Sequence, residues 1–497
     1  SCSSHFALNP AAARSSSIIP DINCVMPPLT LDDIAAQRDT WKRRTRAYHA
    51  ALERIYGFFV PRQRRVLEVG CATGDLLAAL APSQGVGIDV STVAITRARE
   101  KHAAASALSF AAADAHDFHL DTTFDYVVMS DTIGYLDDVQ RALENLHHVM
   151  TPRSRLVINS YNFLWEPLLQ LATWLGLKQP QPAQSWLSMT DLENLLRLAD
   201  FEVVHKEGFI LLPLNIPLIS ALCNGLLAKL PVLRHLTVAQ FIVARPYHRP
   251  PRAQADGHSV SVIIPARNEA GNIEAAVQRT PHMGAWTELI FVEGHSKDNT
   301  WDEIQRVQAA YPQRRITIMR QDGKGKKDAV YKGFAHATGD VLMILDSDLT
   351  MPPEDLPKFY RALADNHGEY INGCRLVYPM EQQAMRFLNL LGNKFFSKAF
   401  SYILGQTYKD TLCGTKVLWR SDWEKLLQDH GYFGEFDPFG DFDIIFGAAK
   451  LGLKTVEIPI RYRDRTYGST QISRFSHGWL LLRMTWIGFV KFKWQVR

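Results

Sequence analysis

The sequence predicts two consecutive α/β domains, each built around a largely parallel sheet. Apolar strand-like runs alternate with helical stretches, small or acidic residues follow several of those runs, and a Pro-rich basic segment near residue 250 divides the alternation into two sets. Composition agrees. The 497 residues are 46% hydrophobic and 21% charged, which excludes a disordered chain, a collagen-like fibre and a polytopic membrane protein. With 55 Lys and Arg against 51 Asp and Glu, the net charge of +4 is too small for a dedicated nucleic-acid binder. No nucleic-acid partner is expected. Local basic patches still suit a phosphate-bearing substrate or an anionic membrane surface.

In chain order, residues 1–29 read as a disordered leader rich in Ser, Ala and Pro, with no visible secretory signal. Six cysteines (Cys2, Cys24, Cys71, Cys223, Cys374 and Cys413) form no CxxC pair, so a reducing cytoplasm is expected. One helix is predicted over 30–59, its dipole favoured by Asp32 and Asp33. Strands follow at 65–69, 85–89, 126–130 and 155–159, and runs 202–209 and 237–244 complete the sheet. No charge occurs between Glu207 and Lys229. Pro213 and Pro217 break that stretch, and antiparallel pairing of its flanking strands returns the chain to one side. A flap over the substrate, or a segment lying on a membrane, is expected there rather than a span. Trp165, Trp174 and Trp186 either border the same cavity or pack in the core.

Residues 246–257 read as a linker, because Pro246, Pro250 and Pro251 among basic residues continue neither sheet nor helix. The second alternation predicts strands at 259–265, 287–293, 315–320 and 341–346, with helices at 269–279, 301–310 and 326–337. The tail, 479–497, interleaves aromatics with Arg483, Lys491, Lys493 and Arg497. It either lies in a headgroup layer or packs on the core.

Two stretches carry chemistry. In the first half, Val66-Leu-Glu-Val-Gly-Cys-Ala-Thr-Gly74 runs a strand into a small-residue turn, where a ligand can approach the main chain. The small residues at 70, 72 and 74 are spaced more tightly than the G-x-G-x-x-G of a nicotinamide site. Asp89 ends the next strand, placed to accept bonds from two ribose hydroxyls, and Asp114 is placed to meet an adenine amino group. Three such elements in order resemble the class I S-adenosylmethionine-dependent methyltransferases (type 11-like), over roughly residues 40–245. The resemblance implies a Rossmann-like domain at 30–245. It also implies that Glu68, Gly70, Ala72, Gly74, Asp89, Asp114 and Ala115 hold S-adenosylmethionine. No residue announces itself as a base. His147 and His148 read as ordinary helix positions, and the methyl acceptor stays open.

In the second half, a strand ends at Pro265 and the polar turn Ala266-Arg-Asn-Glu269. Another ends at Glu293, followed by Ser296-Lys-Asp-Asn-Thr300, rich in helix caps. Gly323-Lys-Gly-Lys-Lys327 opens a helix without Walker spacing, which argues against a nucleoside triphosphatase. Then Asp346-Ser-Asp348 follows an apolar strand. Carboxylates two apart on extended backbone point the same way and can share a hard divalent cation, Mg or Mn, beside a nucleoside diphosphate.

These parts resemble family 2 glycosyltransferases of the GT-A fold, and within them the dolichyl- and polyprenyl-phosphate sugar synthases, over about residues 258–475. The resemblance implies a domain at 258–478. In it, Pro265, Arg267, Glu269, Glu293, Asp298, Lys326, Asp346 and Ser347 hold the nucleotide sugar, and Asp346 and Asp348 hold the metal. Glu293-Gly294 stands where the family has an Asp-Asp pair. Asp410-Thr-Leu-Cys-Gly-Thr-Lys416 resembles an acceptor-side loop. Asp441 and Asp443 stand where the family has an acidic acceptor motif. They act as a general base or simply favour a helix dipole. Arg461, Arg463 and Arg465 precede Tyr467-Gly468 and suit phosphate oxygens, while Gln471 replaces the family's Lys. The expectation is a bifunctional enzyme at the cytoplasmic, inner face of a membrane. It would transfer methyl groups and sugar toward a lipid-phosphate or other cell-envelope glycan acceptor. Rival readings make the first half a non-catalytic docking module, or the acceptor a soluble sugar or protein.

Overall fold

The computed structural model describes residues 30–182, 184–214, 216–230, 232–248, 250–375, 387–428, 440–460, 463, 465, 467 and 474–495. The expected leader therefore lies outside the described residues. The expected single helix is two, α1 (Leu31–Arg44) and α2 (Arg46–Phe59). Thr30 and Asp33 form a capping box at the start of α1. Thr45 breaks the run: its hydroxyl bonds back to the carbonyl of Trp41 at 2.9 Å, competing with helix continuation.

The first sheet has seven strands: β1 (Arg65–Val69), β2 (Gln84–Asp89), β3 (Leu108–Ala112), β4 (Phe124–Ser130), β5 (Met150–Tyr161), β6 (Phe201–Phe209) and β7 (Ala239–Pro246). Their order is β3-β2-β1-β4-β5-β7-β6. Neighbours through β5 run parallel, whereas β7 is antiparallel to both β5 and β6. β3 has no counterpart in the sequence expectation. Its residues are only partly buried, so the apolar contrast that marks a central strand is weak there. Alternation builds the two faces. Val66, Val128, Val157 and Val243 enter one apolar cluster, and Leu67, Val127, Leu156 and Ile242 enter the other.

The second sheet also has seven strands: β8 (Val260–Ala266), β9 (Thr287–Glu293), β10 (Arg315–Arg320), β11 (Val341–Ile344), β12 (Tyr370–Cys374), β13 (Lys416–Trp419) and β14 (Thr455–Pro459). The order is β10-β9-β8-β11-β13-β12-β14, and only β13 runs against its neighbours. Val262, Phe291, Met343 and Val417 face one cluster, and Ile263, Ile290, Leu342 and Leu418 the other. The expected linker contains a short helix, Arg252–Asp256, because Pro251 precedes its first residue and fixes the entry without costing a hydrogen bond.

Buried charge ties the halves together. Arg155 on β5 donates to Glu369 Oε2 at 2.6 Å and to the Gly452 carbonyl at 2.6 Å. Arg245 on β7 is fully buried and bonds Glu202 at 2.8 Å and Asn366 Oδ1 at 2.7 Å. Burial pushes the Glu369 carboxyl up, but Arg155 and Arg245 reverse that and hold it below the usual range. Lys493 pairs with Glu207 at 2.7 Å, and Tyr402 donates to the Lys229 carbonyl, so one end of the flap meets the C-terminal segment and the other the helix Phe387–Leu404. Among the described residues, no helix is long and apolar enough to cross a membrane. Trp165 donates to the Leu236 carbonyl at 2.7 Å and Trp186 is partly buried, but Trp174 is 81% exposed and packs in no core.

Candidate active sites

Each sheet changes winding direction between two parallel central strands, which opens a crevice at their carboxyl ends. In the first sheet, Gly70 follows β1 and Asp131 follows β4. A cavity there is lined by Arg38, Lys42, Glu68, Gly70, Asp75 and Asp131, among others. Gly70 has φ +74°, and a Cβ on it would lie 2.3 Å from the Thr132 hydroxyl, so no side chain fits at that turn. Gly74, at φ +74°, starts the helix Asp75–Ala79 in the left-handed conformation. Ala72 adopts φ +46° between them, strained for an L-residue.

The expected acids are organised differently from one another. Glu68 is buried and accepts the Leu77 N–H at 3.0 Å; burial pushes its carboxyl up to about 8. Asp89 accepts the Ala72 N–H at 2.8 Å and the Ser91 N–H at 2.9 Å. Each of its oxygens thus already fixes its own loops, rather than being reserved for two hydroxyls. Asp114 is exposed and holds the His116 N–H at 2.9 Å, while the Ala115 carbonyl takes Asn145 Nδ2 at 3.2 Å. His147 and His148 turn back onto the carbonyls of Ala199 and Asn145.

The cavity suits the amino-acid end of S-adenosylmethionine. Arg38 and Lys42 offer cations to a carboxylate, whereas Glu68 is engaged by the Leu77 N–H and Asp75 by Lys42 and Lys101. Sequence reasoning missed Arg38, Lys42 and Asp131. The first two stand at helical i, i+4 spacing, and Asp131 follows its strand as directly as Asp89 ends its own; both signals were readable.

In the second domain, β11 ends at Ile344, so Asp346 and Asp348 sit in a turn instead of on the expected extended backbone. Each meets its own cation. Asp346 pairs with Lys326 at 2.6 Å, and Asp348 with Arg465 at 2.6 Å, while Asp348 also caps the Thr350 N–H at 3.1 Å. Burial raises the Asp346 carboxyl, yet Lys326 outweighs it and leaves the group below the usual range. A Cβ on Gly414 would overlap the Asp346 carboxylate, so that glycine makes room for the pair. Ser347 between them is buried.

Other expected residues gather beside this turn. Buried Glu269 bonds Arg465 at 3.1 Å and Asn272 at 2.8 Å; burial raises its carboxyl despite Arg465. Asp298 caps the Thr300 N–H at 3.1 Å, and the Thr300 hydroxyl accepts the Glu269 N–H at 3.0 Å, which joins two loops. Glu293 accepts the Ser296 N–H at 2.5 Å. Pro265 is half-buried on β8 and Arg267 is exposed. Asp441 pairs with Lys416 at 3.2 Å and Asp443 with Lys327 at 2.6 Å, both in the first turn of the helix Asp441–Lys450. Arg463 is exposed, its N–H on the Thr350 carbonyl, and Arg461 lies outside the described residues. The sequence reading missed Lys327 and the fork in which Arg375 grips Asp410 at 2.7 and 2.9 Å.

Two neighbouring carboxylates are the donor chemistry a hard divalent cation takes. Among the described residues no group of three His, Cys, Asp or Glu side chains gathers to hold a metal alone.

Comparisons with known proteins match the two halves of the chain separately. A family profile described as "Methyltransferase domain" matches residues 40–206, and one described as "Glycosyl transferase family 2" matches residues 261–427. A dolichol-phosphate mannosyltransferase of Pyrococcus furiosus is 38% identical over 219 residues, 43% of this chain. The match spans 59% of that relative's own length. Among solved structures, an S-adenosylmethionine-dependent methyltransferase of Thermotoga maritima is similar at 16% identity and a TM-score of 0.34, covering 43% of this chain and 96% of that one. One from Mesorhizobium loti is similar at 20% identity and 0.30, covering 38% and 95%. An Aquifex aeolicus methyltransferase is similar at 16% identity and 0.31, covering 44% and 98%.

Proposed function

We propose that this chain, which carries a methyltransferase domain followed by a family 2 glycosyl transferase domain, performs both transfers. The methyl donor is S-adenosylmethionine and the sugar donor a nucleotide sugar. We place the domains at 30–245 and 258–478, joined by 246–257 and followed by the tail 479–497. The observation that carries the reading is the crevice each sheet opens at its winding reversal, lined in both cases by polar groups of the right charge.

In the first crevice, Arg38 and Lys42 orient the donor's carboxylate, and Gly70 and Gly74 let the main chain approach it. Glu68 and Asp89 fix the two loops that form the floor. In the second, a divalent cation held by Asp346 and Asp348 would neutralise charge on the departing diphosphate. Lys326 and Arg465, which face those carboxylates, are the cations that would pair with phosphate oxygens. A phosphate acceptor is already ionised at neutral pH and needs no base. That agrees with the ion pairing of Asp441 and Asp443.

A lipid phosphate is the acceptor class the reading favours, because each domain exposes large apolar side chains. Leu218 and Val232 of the flap and Trp479 and Trp486 of the last helix are each at least 65% exposed. No Asp or Glu occurs in 208–255 or 465–497, so the flap and the tail suit an anionic bilayer surface. Peripheral attachment at the cytoplasmic face follows, and the free thiols among the described residues suit that compartment. The deciding experiment supplies the full chain with a panel of nucleotide sugars, with and without polyprenyl phosphate. Sugar appearing on the lipid phosphate is expected. Transfer to a soluble sugar alone would overturn the acceptor class.

A further inference from the structure

One acid in the first crevice has no part in the reading above. Asp131 follows β4 at φ +51°, a left-handed turn, and lines the same cavity as Glu68 and Gly70. Its neighbours in that cavity are committed. Glu68 holds the Leu77 N–H, and Asp75 pairs with Lys42 at 3.1 Å and Lys101 at 2.8 Å. Asp131 is held by neutral donors instead. The Tyr48 hydroxyl lies 3.1 Å from both of its oxygens, and Asn159 Nδ2 donates to Oδ1 at 2.5 Å. Asn159 is itself fixed, since its Oδ1 accepts the Tyr56 hydroxyl at 2.7 Å and the Asp131 N–H at 3.2 Å. The carboxylate is thus oriented by a rigid frame and meets no ion-pair partner among the described residues.

We propose that Asp131 is the proton acceptor for methyl transfer and that the atom methylated is a hydroxyl oxygen; this rests on the methyl-transfer reading above. The acceptor oxygen forms the new O–CH3 bond with a lone pair as the C–S bond breaks, its electron pair going to sulfur. The hydroxyl proton passes to Asp131, so the sulfonium charge and the carboxylate charge vanish together. A neutral amine needs no base before it attacks, and a carboxylate acceptor would be repelled by Asp131. Tyr48 stacks on Tyr161 at 5.9 Å, and Trp186 lies 6.3 Å from Tyr161, so the hydroxyl that orients Asp131 is held in an aromatic cluster.

The electrostatics support a base that works near neutrality. Burial pushes the Asp131 carboxyl up to about 6, partly opposed by Tyr48 and Asn159. The groups that face it are Arg38 from α1, Tyr48 and Tyr56 from α2, Tyr135, Tyr161 and Lys178 from beyond β4, and Glu68 across the cavity. Lys178 is itself lowered by burial to about 8.

The test uses the full chain and methyl-tritiated S-adenosylmethionine, offered with a chloroform–methanol–water extract of cells lacking the protein. Label in an alkali-stable ether is expected, and Asp131→Asn should lower kcat roughly 100- to 10,000-fold with little change in the donor's KM. Tyr48→Phe removes a donor, so the acid limb of its pH profile should move to higher pH while activity persists. Carboxyl NMR of cofactor-free, aspartate-labelled chain should show one resonance titrating near 6 that Asp131→Asn removes. Label on nitrogen or in an alkali-labile ester would overturn the proposal. So would a wild-type pH profile in Asp131→Asn, or a carboxyl midpoint at the usual value of about 4. No label in any fraction, with calorimetry still recording cofactor binding, would remove methyl transfer itself and this proposal with it.

Discussion

The two crevices treat their carboxylates in opposite ways. In the first, Glu68 and Asp131 are buried with neutral partners, and both are raised, to about 8 and about 6. In the second, buried Asp410 and partly exposed Asp346 face Arg375 and Lys326, which hold them low. Each crevice has an exception: Glu269, sharing Arg465 with Asp348, stays raised, and Asp75 in the first, paired with Lys42 and Lys101, is held low. The difference matches the chemistry proposed for each half. A methyl site gains from an acid that can take up a proton near neutrality. A diphosphate site gains from permanent anions whose cations can be exchanged for a metal and phosphates.

The largest expected effect breaks the second crevice. Asp346→Asn or Asp348→Asn keeps the shape but removes charge, so sugar transfer should fall about 1,000-fold, roughly 4 kcal/mol of transition-state stabilisation. Release of nucleoside diphosphate measures it, and a chelator should do the same to wild type. Chelator-resistant transfer would show that Lys326 and Arg465 carry the leaving-group charge alone.

A pair of matched variants sharpens the contrast through stability. Glu369→Gln leaves Arg155 buried without its anion, while Arg245 keeps Glu202, and should cost about 3–5 kcal/mol. Because the folded pKa of Glu369 is lowered, its contribution is full above the ordinary carboxylate value and lost as pH falls through the folded one. Glu68 has the opposite sign. Its raised pKa gives stability below the ordinary value that is lost as pH climbs toward about 8. Glu68→Gln keeps an acceptor for the Leu77 N–H, so it should gain on wild type between pH 7 and 9. Melting temperatures across pH 3–9 read both. Parallel pH profiles for the two variants would erase the distinction drawn here.

Asp89→Ala is the next smaller effect. It removes the acceptor for two loop N–H groups, and cofactor affinity should weaken by about 2 kcal/mol, roughly 30-fold by calorimetry. The position of Asp89 shows how much of the site was legible. Strand ends are announced by apolar runs and small residues, so Gly70, Asp89, Glu293 and Asp346 could be placed from the sequence. Their partners could not. Lys326 meeting Asp346, Arg465 meeting Asp348 and Tyr48 meeting Asp131 are contacts between distant segments, and no local pattern encodes them. The same limit hid β3, whose half-buried residues lack a clear alternation, and the break at Thr45, where one hydroxyl ends a helix that composition would continue.

The smallest expected effect concerns the exposed apolar side chains of the two halves. The last helix is two-sided: Leu481, Met484 and Phe492 pack into the core, while Trp479, Leu482 and Trp486 are exposed. Deleting 479–497 would therefore remove core as well as surface, and point changes give the cleaner test. Trp479→Ser with Trp486→Ser should weaken co-sedimentation with vesicles containing phosphatidylserine by a few-fold. Leu218→Ser with Val232→Ser on the flap should do the same from the other domain. If both patches touch one bilayer, the combined variant should lose about the product of the two effects, because each anchor raises the effective concentration of the other. Raising salt should weaken binding further, since the cations near a headgroup layer are screened within about 8–10 Å. Binding that survives alkaline carbonate would make the attachment integral. Loss confined to one pair would show that only one domain faces the membrane, and the shared acceptor surface would then have to be given up.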